Sequence, residues 1–280
     1  MSQSASLILT NGQFHTLDSE APLAEAVAIK DGKIIAVGNE SWVMSFASGE
    51  TQRVDLKGHT VIPGLNDSHL HLIRGGLNYN LELRWEGVPS LADALLMLKE
   101  QALRTPSPQW VRVVGGWTEF QFAERRMPTL EELNEAAPDT PVFVLHLYDR
   151  ALLNQAALRA VGYTKETPNP PGGEIMRDRN GNPTGMLIAK PNAMILYSTL
   201  AKGPKLPLDM QVNSTRQFMR ELNRLGVTSA IDAGGGFQNY PEDYQIIDQL
   251  HAQKQMTVRI AYNLFTQRPQ HELEDFEKWT

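Results

Sequence analysis

The last third of the chain alternates between two periodicities, and that alternation restricts the folds open to it. DMQVNSTRQFMRELNRLG carries apolar residues at helical spacing and stops at Gly226, after which VTSAID reads as a strand. A glycine-rich turn, Gly234 to Gly236, comes next. EDYQIIDQLHAQK then predicts a second helix and MTVRIAYNLF a second strand. Helix and strand in this order predict a parallel sheet with crossover helices, an α/β arrangement.

The first sixty residues have a different texture. LILTNGQFHTL places Asn11-Gly12 between two apolar segments and predicts a hairpin; AVAIKDGKIIAVG repeats the device with Asp31-Gly32. A short helix-prone piece, SWVMSFA, follows, and Lys57-Gly58 marks a further turn. Short strands at this spacing predict a small β-sandwich or sheet unit.

Between these regions, LADALLMLKEQALR is an amphipathic helix with Ser90 as its N-cap. WVRVVGGW and PVFVLHL read as buried strands. TLEELNEAAP, with Thr129 three residues before Glu132, has the capping-box pattern, and LLNQAALRAVG is a helix closed by Gly162. Residues 164–183, rich in Pro, Gly and Asn, predict a protruding hairpin or lid.

GHTVIPGLNDSHLHLIRGG supplies the first chemistry. His69 and His71 are two apart and share a strand face with Asp67. They are either half of a metal site or packed structural histidines; Asp67 either orients one of the rings or caps the strand end. Composition narrows the choice of donors. There is no cysteine, so disulfides, thiolate ligands and a cysteine nucleophile are excluded, and any metal rests on His and carboxylate groups. A net charge of -6 argues against nucleic acid, and no run approaches a membrane span or a signal peptide. A cytoplasmic protein acting on a small molecule is the expectation.

Other candidates stand at the ends of apolar runs. His146 ends PVFVLHLYDR beside Asp149 and Arg150; it is a locally bonded polar residue or part of the chemistry. Lys190 has three readings: a carboxylated lysine bridging two metals, a substrate contact, or a solvated strand end. Asp232 ends its strand in the same way, and Gly234 to Gly236 offer a weak anion cradle. Trp117 and Glu119 are pocket-wall candidates, Trp117 equally a core anchor. His15, His59, His251 and His271 read as surface or structural residues.

Taken together, RVDLKGHTVIPGLNDSHLHL, GGEIMRDRNGNPTGML and ELNRLGVTSAIDAG resemble the amidohydrolase superfamily, and within it amidohydrolase family 3, the branch that includes N-substituted formamide deformylases. The resemblance implies N-terminal β-sandwich strands over 1–60 and a first strand of a distorted (β/α)8 TIM-like barrel over 61–75. It further implies a large α+β insertion over 76–205 and barrel strands two and three over 206–280. It implies one or two divalent metals, zinc first among them, with His69 and His71 as ligands. Asp67, Trp117, His146 and Lys190 become substrate or supporting residues. The activity implied is hydrolysis of amide-type C–N bonds by metal-activated water.

The resemblance also exposes departures. The family's remaining ligands, including the general-base aspartate, are expected after the third barrel strand, placed at TVRIAYNLF, and the 280 residues stop soon after it. A homo-oligomer or a missing C-terminal half is therefore the expected partner, and a non-catalytic fragment is the alternative reading. The branch's Asp-Gly-His element is replaced here by YDR, so its role does not transfer to His146; Asp149 or Arg150 are the residues that would take it over.

Overall fold

A computed structural model gives the fold, described for residues 4–235, 238–266 and 268–279. The chain divides into two compact units, Met1–Asn66 and Asp67–Thr280. Gly236 lies outside the described residues.

The first unit holds β1 (Leu7–Thr10), β2 (Gln13–His15), β3 (Leu23–Ala24), β4 (Ala26–Lys30), β5 (Lys33–Gly38), α1 (Glu40–Met44), β6 (Gln52–Asp55) and β7 (Thr60–Val61). They form two sheets, of order β5-β4-β1-β6 and β3-β2-β7. β4 and β5 make the predicted hairpin: Asp31 and Gly32 both have positive φ (49° and 73°), as a type I′ turn requires. The other predicted hairpin does not form. At Asn11-Gly12 only Asn11 has positive φ (52°), so the chain turns a corner and β2 joins a different sheet from β1. The corner is tight, since a Cβ on Gly12 would stand 2.7 Å from the Phe14 ring. β6 and β7 make the same crossing, parallel to β1 and β2 respectively. The two corners are joined: Gly58 N–H donates to Asn11 O (2.7 Å), and Asn11 Nδ2 donates to Asp55 Oδ1 (2.8 Å). Ile8, Ala26, Ala28, Ala36 and Val43 form the core, small residues that let α1 lie close to the sheet.

The second unit begins inside β8 (Leu65–Leu70). It continues through α2 (Leu72–Asn78), β9 (Glu82–Leu83), α3 (Leu91–Arg104), β10 (Val111–Val113), α4 (Leu130–Ala136), β11 (Val142–His146), β12 (Arg150–Leu153) and α5 (Gln155–Val161). After these come β13 (Gly173–Arg177), β14 (Pro183–Ala189), α6 (Met194–Leu200), α7 (Leu208–Arg224), β15 (Val227–Asp232), α8 (Gln245–Ala252), β16 (Arg259–Tyr262) and α9 (Glu272–Trp279).

Six strands form a mixed sheet of order β13-β14-β12-β11-β10-β9. Its central strands, β10, β11 and β12, are buried on both faces, so alternate residues feed two cores. Val111, Val113, Val142 and Val144 meet Leu91, Leu98 and Leu133 from α3 and α4. Phe143, Leu145, Ala151 and Leu153 meet Leu158, Ile195 and Leu196 from α5 and α6 on the opposite side. The predicted caps hold: Ser90 accepts from Asp93 N–H, Thr129 and Glu132 form a reciprocal capping box, and Gly162 ends α5 with φ 74°. The predicted hairpin forms, as β13 and β14, and is built into this sheet. β14 pairs with β12, and Ile175 and Leu187 are buried, which makes the hairpin the sheet's edge.

The remaining strands form a three-stranded sheet, β16-β15-β8. β15 and β16 are parallel, and α7 and α8 lie beside them around Leu72, Met219, Leu222, Tyr244 and Leu250. The described strands form no closed barrel.

Candidate metal centre

β8 delivers His69, and the chain leaves extended geometry at His71 (φ -100°, ψ 65°), the residue that opens α2. The two rings lie side by side, centroids 5.4 Å apart. His69 is exposed and His71 half-buried. His71 Nδ1 stands 2.6 Å from Gly234 O. A carbonyl oxygen only accepts, so the ring proton is on Nδ1, and in the neutral ring the Nε2 lone pair is free to coordinate.

Asp232, fully buried at the end of β15, spends both carboxylate oxygens on the backbone. Oδ2 accepts from Ile73 N–H (2.8 Å), in the first turn of α2, and Oδ1 from Gly234 N–H (2.9 Å). One acid thus fixes the loop after β8 and the loop after β15 together, and through Gly234 it holds the His71 ring. This role, a positioning one, was not legible in the strand-end pattern. Gly234 (φ 68°) needs its lack of a side chain, because a Cβ would meet Asn263 O at 2.8 Å. Gly234 therefore serves a crowded turn, with its carbonyl presented to His71. Asp67 Oδ1 accepts from His69 N–H (2.9 Å): it caps the strand end and does not bond a ring.

The pair meets one test of a metal half-site. Two imidazoles on one tetrahedral ion bring their centroids to about 5 Å of each other, close to the spacing here. Among the described residues no group of three or more His, Asp or Glu side chains gathers where it could hold an ion. His69 and His71 fit as half of a donor set.

Three other candidates belong to different surroundings. Trp117 is wholly buried, donates Nε1–H to Leu145 O (2.9 Å) and packs on Trp85 and Phe122. With no exposed surface it is a core anchor and not a pocket wall. His146 is 4% exposed, with Nε2 2.6 Å from Glu119 Oε2 and Nδ1 3.1 Å from Asp149 Oδ1. Both ring nitrogens are therefore engaged locally. Arg150 binds Asp149 through Nε and Nη2, and the Glu119 and Asp149 carboxyls are held below their usual range despite partial burial, by hydrogen bonds and the nearby cations. Lys190 is ion-paired with Glu174 across the β13–β14 hairpin and largely exposed. His15, His59, His251 and His271 are exposed.

Pattern reading passed over two arginines, of which Arg74 lies next to the centre. Arg74, one turn into α2, comes near the same glycine as His71. A Cβ on Gly235 would be 3.6 Å from His71 Cε1 and 3.7 Å from Arg74 Nη1. Arg112, a guanidinium in the middle of the apolar run WVRVV, is 6% exposed. A charge inside a buried strand was the signal available for it.

Comparison with known proteins adds the family. The amidohydrolase family profile matches residues 52–280. Protein LONG AFTER FAR-RED 3 of Arabidopsis thaliana is 34% identical over 238 residues, 83% of this chain and 39% of its own length. N-substituted formamide deformylase of Arthrobacter pascens is 31% identical over 235 residues, 83% of this chain and 43% of its own. An uncharacterized metal-dependent hydrolase from Pyrococcus horikoshii OT3 superposes with a TM-score of 0.63 at 21% identity, over 98% of this chain and 50% of that one, a likeness of fold. The chain spans roughly two fifths of the length of these curated relatives. Among the described residues no helix is long and apolar enough to cross a membrane. On the profile match and the identity to these relatives, the chain belongs to the amidohydrolase family.

Proposed function

We propose that this chain is the N-terminal part of a metal-dependent hydrolase that cleaves amide-type C–N bonds of a small molecule. In this reading β8, β15 and β16 are the first three strands of a TIM-like barrel, 1–60 is its sandwich portion, 61–75 brings the His-x-His pair, 76–205 is an insertion and 206–280 continues the barrel. His69 and His71 are two of the ligands to one or two divalent ions, zinc being the first to test. The observation that carries the reading is the His71–Gly234 hydrogen bond, which leaves Nε2 available beside the His69 ring.

When bound, such an ion would supply a Lewis acid for the scissile carbonyl and a water of lowered pKa. The chain's own residues do the placing. Gly234 O fixes the His71 tautomer, Asp232 holds the two loops that carry His71 and Gly234, and Asp67 keeps the end of β8 from fraying. Metal analysis of the chain after buffer exchange tests this: zinc is retained by the wild type and lost on joint substitution of His69 and His71 by Ala. Equal metal content in the two proteins would remove both residues from the site.

A second reading, a fragment without catalysis of its own that works by association, has one observation in its favour. Parallel sheets are ordinarily covered on both faces, yet Ile231 of β15 is 41% and Tyr262 of β16 38% exposed. Further polypeptide, a second copy or the rest of a barrel, would cover them. Light scattering that found a monomer at all concentrations would count against self-association.

A further inference from the structure

A cavity of about 120 Å³ lies beside α2, and its wall carries three cations: Arg74, Arg112 and Lys205. Asn78, Tyr197, Gln211, Gln238 and one carboxylate, Asp243, complete the polar lining. We propose that this cavity binds a compact oxyanion, the carboxylate or phosphate group of a small molecule. Its size suits such a group and is well below the pockets that enclose whole drug-sized ligands.

Arg112 carries the argument. Its Nε is buried and has no hydrogen-bond partner among the described residues, and its Nη2 reaches only Pro204 O, at 3.4 Å. A buried guanidinium with an unused donor is costly, and an anion supplies the missing acceptor with the favourable geometry of a charge-assisted bond. Gly203 keeps the approach open, since a Cβ there would stand 3.0 Å from Arg112 Nη2.

The carboxylates nearby are ion-paired with Lys205 and Arg84, so the anion site rests on the two arginines, Arg74 and Arg112. Asp243 accepts from Lys205 Nζ (3.1 Å) and from Asn239 N–H (2.8 Å). Glu82, opposite Arg112 in the β9–β10 pairing, is bonded to Arg84 at 2.6 Å. Burial also raises the Glu82 pKa to about 7 against the pull of Arg84 and Arg112, so near neutrality part of the population is uncharged. Arg74 additionally stacks on the Tyr197 ring, 5.0 Å from its centroid, which places its guanidinium at the cavity wall.

Calorimetric titration of the 280-residue chain with inorganic phosphate and, separately, with glutarate tests the proposal, with chloride at matched ionic strength as control. Saturable millimolar binding of at least one anion is expected, phosphate alone or glutarate alone identifying which chemistry is preferred. Arg112→Gln should weaken it about tenfold or more and Arg74→Gln severalfold, while His69→Ala leaves it unchanged, so the outcome is separable from that of the metal reading. Absence of saturable binding, equal competition by chloride, or unchanged affinity in Arg74→Gln and Arg112→Gln would overturn it. Should Arg112→Gln fail to fold, Arg74→Gln, at a half-buried helix position, decides alone.

Discussion

The second unit contains two sheets made on opposite terms. The six-stranded sheet is closed by its own helices: every residue of β10 and β11 is buried, and a layer of helices covers each face. The three-stranded sheet is open. β8 has no buried residue and β16 none, and only β15 contributes to the core. The candidate metal pair sits on the open sheet, and the large aromatic core sits in the closed one. The difference teaches where each part of the chain draws its stability. The six-stranded sheet is covered by helices on both faces, whereas β8, β15 and β16 depend on α2, α7, α8 and a few buried polar contacts.

Substitutions can break or sharpen that contrast. Trp117→Ala should cost about 3–5 kcal/mol in denaturant unfolding, because it opens a cavity between Trp85, Phe122 and His146. Ile231→Ala on the open sheet should cost about 1 kcal/mol or less. Equal costs would abolish the distinction between the two sheets.

The edge of the closed sheet is also pH-sensitive. Glu82 has a folded pKa raised to about 7, while in the unfolded chain it titrates in the ordinary carboxylate range. Its contribution is therefore fully favourable at acid pH and is lost as pH rises from about 4.5 to about 7, on the order of 3 kcal/mol as an upper bound. Glu82→Gln should flatten that slope and stabilise the protein at pH 8. A stability profile with the same slope in both proteins would show that burial does not govern Glu82.

On the open sheet the decisive contact is polar. Asp232→Asn keeps one acceptor and turns an NH2 toward the second backbone amide, which should cost about 1–3 kcal/mol. It should also weaken zinc retention by about 10–100-fold, the usual scale for residues that orient a ligand. Loss of stability with unchanged zinc binding would make Asp232 structural only. The smallest effect belongs to Lys190→Ala, which removes an exposed ion pair and should change stability by less than about 0.5 kcal/mol with metal content unaltered.

Much of the fold was legible where local chemistry decides it. Ser90, Thr129 and Gly162 terminate their helices as their residue types demand, and Asp31-Gly32 makes its turn because both residues take positive φ. Asn11-Gly12 looked the same and was not, since β1 and β2 pair with strands far along the chain, Leu7 with Gln52 in β6 and Gln13 with Thr60 in β7. The 164–183 stretch read as a protruding hairpin or lid because turn residues dominate it; the hairpin forms, and its pairing with β12 is a tertiary fact. In the site, the His69–His71 spacing was visible, and their adjacency follows from it. The Gly234 carbonyl and the two-loop role of Asp232 were not visible, because backbone acceptors carry no side-chain signature. Arg112 and Glu82 left a trace, charges inside apolar runs, whose meaning depends on the strand pairing that sets them opposite each other.

Asp232 has a consequence for how the open sheet moves. Because the amides of Ile73 and Gly234 share one carboxylate, releasing either loop disturbs the acceptor of the other, and Gly234 carries the carbonyl on which His71 rests. The two loops therefore open as one cooperative unit, and the rotational freedom of the His71 ring is surrendered when the chain folds. On the proposed reading, an arriving ion would meet an imidazole already oriented, and its association would be spared that share of the ordering entropy.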